Sequence, residues 1–359
     1  MNTTLRSAGA LAALPLIVGI GIFAGSSDGT AAIVGQATTV ALPKAADATI
    51  DQLRQDYRRP DTIAFPADNP YTIAKVALGK ALYYDTRLSR ASVQSCASCH
   101  SPSYGWGDGQ PKGVGDHMKT LGRRSPTIIN AAYGRIFMWD GRAGSLEEQA
   151  LGPIQAGVEM NMPLDKLLER LNGIPGYAPM FAAAFPNEGI KAEHVAKAIA
   201  TYERTVVSAP APFDVWVAGN DKAISDEAKR GFMLFNTKGG CMRCHSGWTF
   251  TDDSFHDVGL GDDDIGRGKF LPKIVKMQHA FKTPGLREIV RRGPYMHDGS
   301  MASLEAVVEH YDKGGIDRES RSDLIKPLGL SAQDKKDLVA FMLTLTGEVD
   351  PINVPVLPR

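Results

Sequence analysis

From Thr72 onward apolar residues recur at helical spacing, with Ala74, Leu78, Leu82 and Tyr83 on one face and Gly79 the only interruption before Arg87. The same spacing predicts helices over 146–150, 164–171 and 192–206, the last carrying Val195, Ile199, Tyr202 and Val206 on one side. Another is predicted over 227–235. Few runs alternate with period two, so the fold class reads as mainly α. Residues 8–25 are uncharged and rich in Ala, Leu, Ile and Gly, follow Arg6, and precede the small residues of 26–32. That order is a secretory signal, and its length also lets it serve, if left uncleaved, as a membrane anchor. Residues 33–65 show no periodicity and read as a leader. The Pro-rich run Ser208–Phe213 punctuates the remainder.

On both sides of that run the plan repeats: a helix, a Cys-x-x-Cys-His motif, a loop, further helices. The expected organisation is therefore a signal at 1–32, a leader at 33–65, an N-terminal domain at 66–212 and a C-terminal domain at 213–359. Composition changes the picture little. Forty basic and forty acidic side chains in 359 residues leave a formal net charge of zero, without the basic field that nucleic-acid binding requires. Hydrophobic residues at 43% and charged residues at 22% are those of a folded protein, which excludes general disorder. Membrane contact is expected only through an uncleaved N-terminal segment, and the rest of the chain is expected in a periplasm.

The four cysteines carry the chemistry. They occur as Cys96-Ala-Ser-Cys99-His100 and Cys241-Met-Arg-Cys244-His245. A c-type haem needs two thiols to add across its vinyl groups and an imidazole for its iron, at this spacing. A redox dithiol, a zinc site and structural disulfides compete for the same motif. Two copies that use every cysteine favour two covalently bound haem c groups, one per domain. Whether such a protein is an enzyme or an electron carrier depends on what faces each iron, since two protein ligands permit electron transfer and an open position admits a substrate.

Downstream of the first motif lie Trp139-Asp-Gly-Arg142, Gln149-Ala-Leu-Gly-Pro153 and Val158-Glu-Met160. Downstream of the second lie Lys282-Thr-Pro-Gly-Leu-Arg287, Pro294-Tyr-Met-His-Asp-Gly-Ser300 and Leu304-Glu-Ala-Val-Val308. In this order, and from about Pro70 to Thr346, the chain resembles the bacterial di-haem cytochrome c peroxidase and MauG superfamily. The resemblance implies two cytochrome c-like domains, the N-terminal haem reacting with hydrogen peroxide and the C-terminal one transferring electrons. It also implies Trp139 between the haems and Glu159 as acid/base over the open iron, with Gln149 and Arg142 beside it. A partly desolvated carboxylate there can carry the proton that peroxide O–O cleavage moves.

At the second haem the peroxidase branch places a methionine fourteen residues beyond the His of the His-x-Gly motif. Here Tyr311 stands at that position, as in the MauG-like branch. A helix from Ser303 would put Leu304, Val307, Val308 and Tyr311 on one face, turning Tyr311 inward, and an anionic oxygen ligand favours higher iron oxidation states. The resemblance further suggests a gating histidine near the first haem, with His117 one residue from the matching position. The family's inter-domain calcium site maps onto Arg124, Arg292 and Pro294, where a guanidinium argues against the metal. A second functional tryptophan of the MauG-like branch is replaced by Gly239 and Gly240. Three functions stay open: a MauG-like oxidoreductase acting on a protein side chain or small molecule, a peroxidase that takes electrons from a small periplasmic cytochrome c or cupredoxin, and a non-enzymatic electron carrier.

Overall fold

The glycine that interrupts the first apolar stripe is a contact point. The computed structural model describes residues 49–349 and 351–359, and the signal segment and most of the leader lie outside the described residues. These form α1 (Ile50–Gln55), α2 (Ile73–Tyr84), α3 (Cys96–Cys99), α4 (Leu146–Gln155), α5 (Leu164–Asn172), α6 (Tyr177–Ala184) and α7 (Ala192–Arg204). There follow α8 (Pro212–Val217), α9 (Asp226–Asn236), α10 (Leu304–Lys313) and α11 (Ala332–Leu343), with long loops after each cysteine motif. Among the described residues, strand is confined to the antiparallel pair β1 (Phe255–His256) and β2 (Phe281–Lys282). No helix among them is long and apolar enough to cross a membrane.

Thr72 starts α2 by accepting a hydrogen bond from the Lys75 amide. Its Leu78, Ala81 and Leu82 then pack on Val195, Ala198 and Ile199 of α7 in a first core. Gly79 lies where α2 meets α7, and a Cβ there would be driven into the Ala198 carbonyl. The second half repeats the device: Gly231 of α9 meets the Asp337 carbonyl of α11 with the same lack of room. Around that crossing Phe213, Phe232, Phe250 and Phe341 form a second core, with the Phe213–Phe341 and Phe232–Phe341 rings 5.5 Å apart.

The ends of the described chain cross over. Residues 50–57, expected within a structureless leader, instead form α1 and a following turn. Leu53 and Tyr57 are buried in the second core, and the Tyr57 hydroxyl donates to Asn236 Oδ1 at 2.7 Å. The leader expectation fails because these apolar side chains are too few to show a period and are held by residues far away in the chain. Conversely the C-terminal segment leaves the second half. Ile352 packs on the first core, the Gly176 amide donates to Arg359 O at 2.8 Å, and Arg87 Nη2 donates to Pro358 O at 2.8 Å.

Between the halves two loops meet as near copies. Phe137–Ala143 and Tyr295–Met301 each close with an antiparallel bridge, and each holds its methionine, Met138 and Met296, at positive φ. The Arg124 amide donates to His297 O and the Lys282 amide to Trp139 O, both at 2.8 Å. Gly141 and Gly299 also have positive φ, and each presses on the other half, against the Phe255 ring and the Pro111 backbone respectively.

On helix propensity alone, alanine should stabilise α2 or α9 by about 1 kcal/mol relative to glycine. Overpacking costs about 1–3 kcal/mol and at crossings this close reverses the sign. Gly79→Ala and Gly231→Ala are therefore expected to lower the thermal unfolding temperature of the holoprotein. Gly122→Ala, where a Cβ meets nothing within 4 Å, should leave it unchanged.

Candidate functional site

Each Cys-x-x-Cys-His motif is one tight helical turn, closed by the His100 amide on Cys96 O and the His245 amide on Cys241 O, both at 2.9 Å. None of the four cysteines is in a disulfide. The imidazoles are oriented alike. His100 Nδ1 donates to Pro126 O at 2.8 Å, and His245 Nδ1 to Phe250 O at 2.9 Å. A backbone carbonyl on Nδ1 fixes the tautomer that leaves the Nε2 lone pair free for a metal. Burial lowers both imidazole pKa values and so favours that neutral form.

His100 and His245 line one large, mainly apolar cavity between the two cores, together with Trp139, Gln149, Cys241, Cys244 and Tyr311. Free thiols, imidazoles with open Nε2 atoms and an apolar cavity are the donor set and the environment that c-type haem requires. Trp139 stands in the middle. Its indole Nε1 donates to Arg124 O at 2.9 Å, and its ring centroid is 6.3 Å from that of His297. His297 is buried and stacked on Phe281.

On α10, Ser303 caps the first turn, and Leu304, Val307, Val308 and Tyr311 all face the cavity. The Tyr311 hydroxyl has no hydrogen-bond partner among the described residues. Burial and the nearby Cys244 and Cys241 raise its pKa. His310, off the stripe, is used up by Val258 O at 2.8 Å.

Cys96, Cys99, Arg142 and Glu159 lie off the wall of that cavity. Glu159 is half-buried in the turn after α4, where burial raises its carboxyl pKa and Arg142 opposes the shift. Burial, then the charges of Asp108 and Glu159, raise the Cys99 thiol, so Glu159 lies within electrostatic reach of the first motif. Arg142 is held by the buried carboxylate of Asp140 at 2.9 Å. Asp140 also binds Arg123, whose guanidinium reaches Asp264 of the second half at 2.6 Å.

His117 does not reach the cavity, contrary to the expectation of a gating ligand. Its neighbour Asp116 is turned in, buried, and held by Asn161 Nδ2 at 2.8 Å, which leaves the His117 side chain 78% exposed. Gly115 packs without room for a Cβ against the Val158 carbonyl, so the loop is seated on the turn that carries Glu159. Glu203 is a residue that sequence reading missed. It lines the cavity from α7, is 4% exposed, and its Oε2 has no partner. Burial pushes its carboxyl up to about 8 although Arg204 opposes the shift. Its place four residues after Ile199, on a buried helix face, was the available signal.

Residues 73–222 match the family model described as di-haem cytochrome c peroxidase. The chain is 53% identical over 324 residues to the methylamine utilization protein MauG of Methylorubrum extorquens, covering 88% of this chain and 92% of that one. It is 47% identical over 309 residues to the protein of the same name from Methylophilus methylotrophus, covering 85% and 92%. Among solved structures, a MauG-like protein associated with microbial copper homeostasis superposes with a TM-score of 0.75 at 29% identity, over 81% of this chain and 94% of that one. With His100 and His245 facing one cavity and relatives at this identity, the chain belongs to the di-haem cytochrome c peroxidase family, whose members are haem-dependent oxidoreductases that act with peroxide.

Proposed function

We propose that the protein is an exported, periplasmic di-haem c-type oxidoreductase of the MauG-like kind, which activates hydrogen peroxide at the N-terminal haem and shares the oxidising equivalents with the C-terminal one. In this reading Cys96, Cys99 and His100 hold the first haem, and Cys241, Cys244 and His245 hold the second. The bound haems supply an iron that cleaves peroxide and an iron that stores charge. Glu159 moves the proton: burial raises its carboxyl pKa against the pull of Arg142, which makes it a better proton acceptor than an exposed carboxylate. Gln149, on the cavity wall beside Met138, and Arg142, fixed on Asp140, order the approach. Trp139, anchored through its indole N–H between the halves, offers an oxidisable ring on the path from one site to the other.

Tyr311 is the observation that carries this reading over its rivals. It occupies the cavity-facing position of α10 with an uncommitted hydroxyl, and a phenolate on the second iron would favour oxidised states where a thioether favours the reduced one. The oxidised substrate is a protein side chain or a small molecule. A peroxidase fed by a small cytochrome c or cupredoxin is the second reading, and a pure electron carrier the third.

Stopped-flow addition of hydrogen peroxide to the fully ferric protein separates them. Formation of a long-lived, spectrally distinct oxidised protein supports the proposal. Reaction of the half-reduced protein alone supports the peroxidase, and failure to bind cyanide or carbon monoxide supports the carrier. Glu159→Gln should keep both haems by pyridine haemochrome assay and slow the peroxide reaction by ~10²–10⁴. Tyr311→Phe should change the ferric EPR spectrum of the second haem and leave that of the first intact. An unchanged spectrum would remove Tyr311 from the iron.

A further inference from the structure

At the junction of the two halves the backbone positions that would serve an inter-domain calcium ion are present, and the space is taken. Arg124 is 5% exposed, and its Nη2 donates to the backbone carbonyl of Arg292. That carbonyl is one of the oxygens the family resemblance assigns to the ion. Arg292, also buried, spends both Nη groups on carbonyls, Nη1 on Arg287 O at 2.7 Å and Nη2 on Gly285 O at 2.8 Å. Neither guanidinium bonds a carboxylate among the described residues. Asp108, which acts on Arg124 only through its charge, instead accepts from Ser125 Oγ at 2.7 Å and from the Gln110 amide at 3.0 Å. Lys282, which repeats the Arg124 backbone contact in the other half, differs in having a carboxylate, Asp253 at 3.1 Å.

Calcium takes six to eight oxygen ligands. Here it would meet two buried guanidinium groups, a carbonyl already engaged and no bonded carboxylate, an arrangement of like charges in a poorly hydrated site that is strongly unfavourable. We propose that the Arg124 guanidinium is itself the resident cation of this junction, standing at the Arg292 carbonyl in place of a metal ion, and that the protein binds no calcium there. Arg124 then acts as a positioning residue. Its side chain ties the first half to Arg292, its amide donates to His297 O, and its carbonyl accepts the Trp139 indole N–H. One residue thus sets the ring that lies between the two haem sites. Its Nη1 has no hydrogen bond to the described residues, and the residue lines the cavity, so a haem carboxylate is the anion that would meet it.

The inference rests on the di-haem reading, and two measurements on the full-length holoprotein keep the two apart. Pyridine haemochrome and iron content, expected at two per chain, test the haem reading alone. Calcium content by inductively coupled plasma mass spectrometry, expected at well under one per chain, tests the inference, as does a ferric EPR spectrum indifferent to EGTA. Arg124→Gln should shift the EPR spectrum and lower the reduction potential of at least one haem, because a nearby positive charge favours the less positive, reduced iron. Arg124→Lys, which retains the charge, should recover most of the potential. One calcium per chain in the wild-type protein, an EGTA-induced spectral change, or an Arg124→Gln protein with unaltered spectrum and potentials would each overturn the proposal. The wild-type measurements decide it even if the variants do not fold.

Discussion

Two backbone hydrogen bonds hold the centre of this molecule: Arg124 N–H to His297 O and Lys282 N–H to Trp139 O. They are reciprocal. Each loop that follows a cysteine motif donates to the near-copy loop of the opposite half, so neither can shift without disturbing both. Trp139 and His297 occupy equivalent places in the two copies and meet ring to ring at the junction. Trp139 and His297 both line the cavity, and the Pro126 carbonyl that orients His100 lies two residues beyond Arg124. The close glycine crossings at α2/α7 and α9/α11 supply the rigid halves on which it is mounted. Without Gly79 and Gly231 each helix pair would stand farther apart and the motif turns would lose their backing.

Charge reinforces the same seam. Asp140, buried within the Trp139 loop, is shared by Arg123 and Arg142, and Arg123 continues to Asp264 across the boundary. The Arg267 guanidinium adds bonds to Asp140 O at 2.9 Å and Gly141 O at 2.7 Å. These groups are partly buried and form a network around shared partners, the setting in which ion pairs contribute more than isolated surface pairs do. The tryptophan is thus fixed from three directions: its own indole N–H, its backbone carbonyl, and the pinned loop on its C-terminal side.

Much of this was legible in the chain. The stripes over α2, α4, α5, α7 and α9 appear at their expected places because each buries a continuous apolar face, and the stripe through Leu304, Val307, Val308 and Tyr311 likewise faces the cavity. The stripe through Leu338, Phe341, Met342 and Leu345, following the Ser331–Asp334 capping box, was equally readable and marks α11. So was the repeat Met138-x-Asp-Gly141 and Met296-x-Asp-Gly299. Other features could not be read locally. Helix α1 has six residues and owes its order to partners more than 150 positions away. The choice between Asp116 and His117 as the residue turned inward depends on Asn161 and on a backbone reversal at His117, φ 53°. Residue spacing does not encode that choice.

The crossing of the chain ends bears on how the protein is made. A polypeptide emerges from its N-terminus, so α1 appears before every residue of the core that will receive it. The first half likewise waits for residues 352–359 to supply the carbonyls that Gly176 and Arg87 bind. Neither half can therefore finish folding by itself as the chain lengthens. Each end thus completes the half that lies farther from it in sequence, and loss of either end weakens that half.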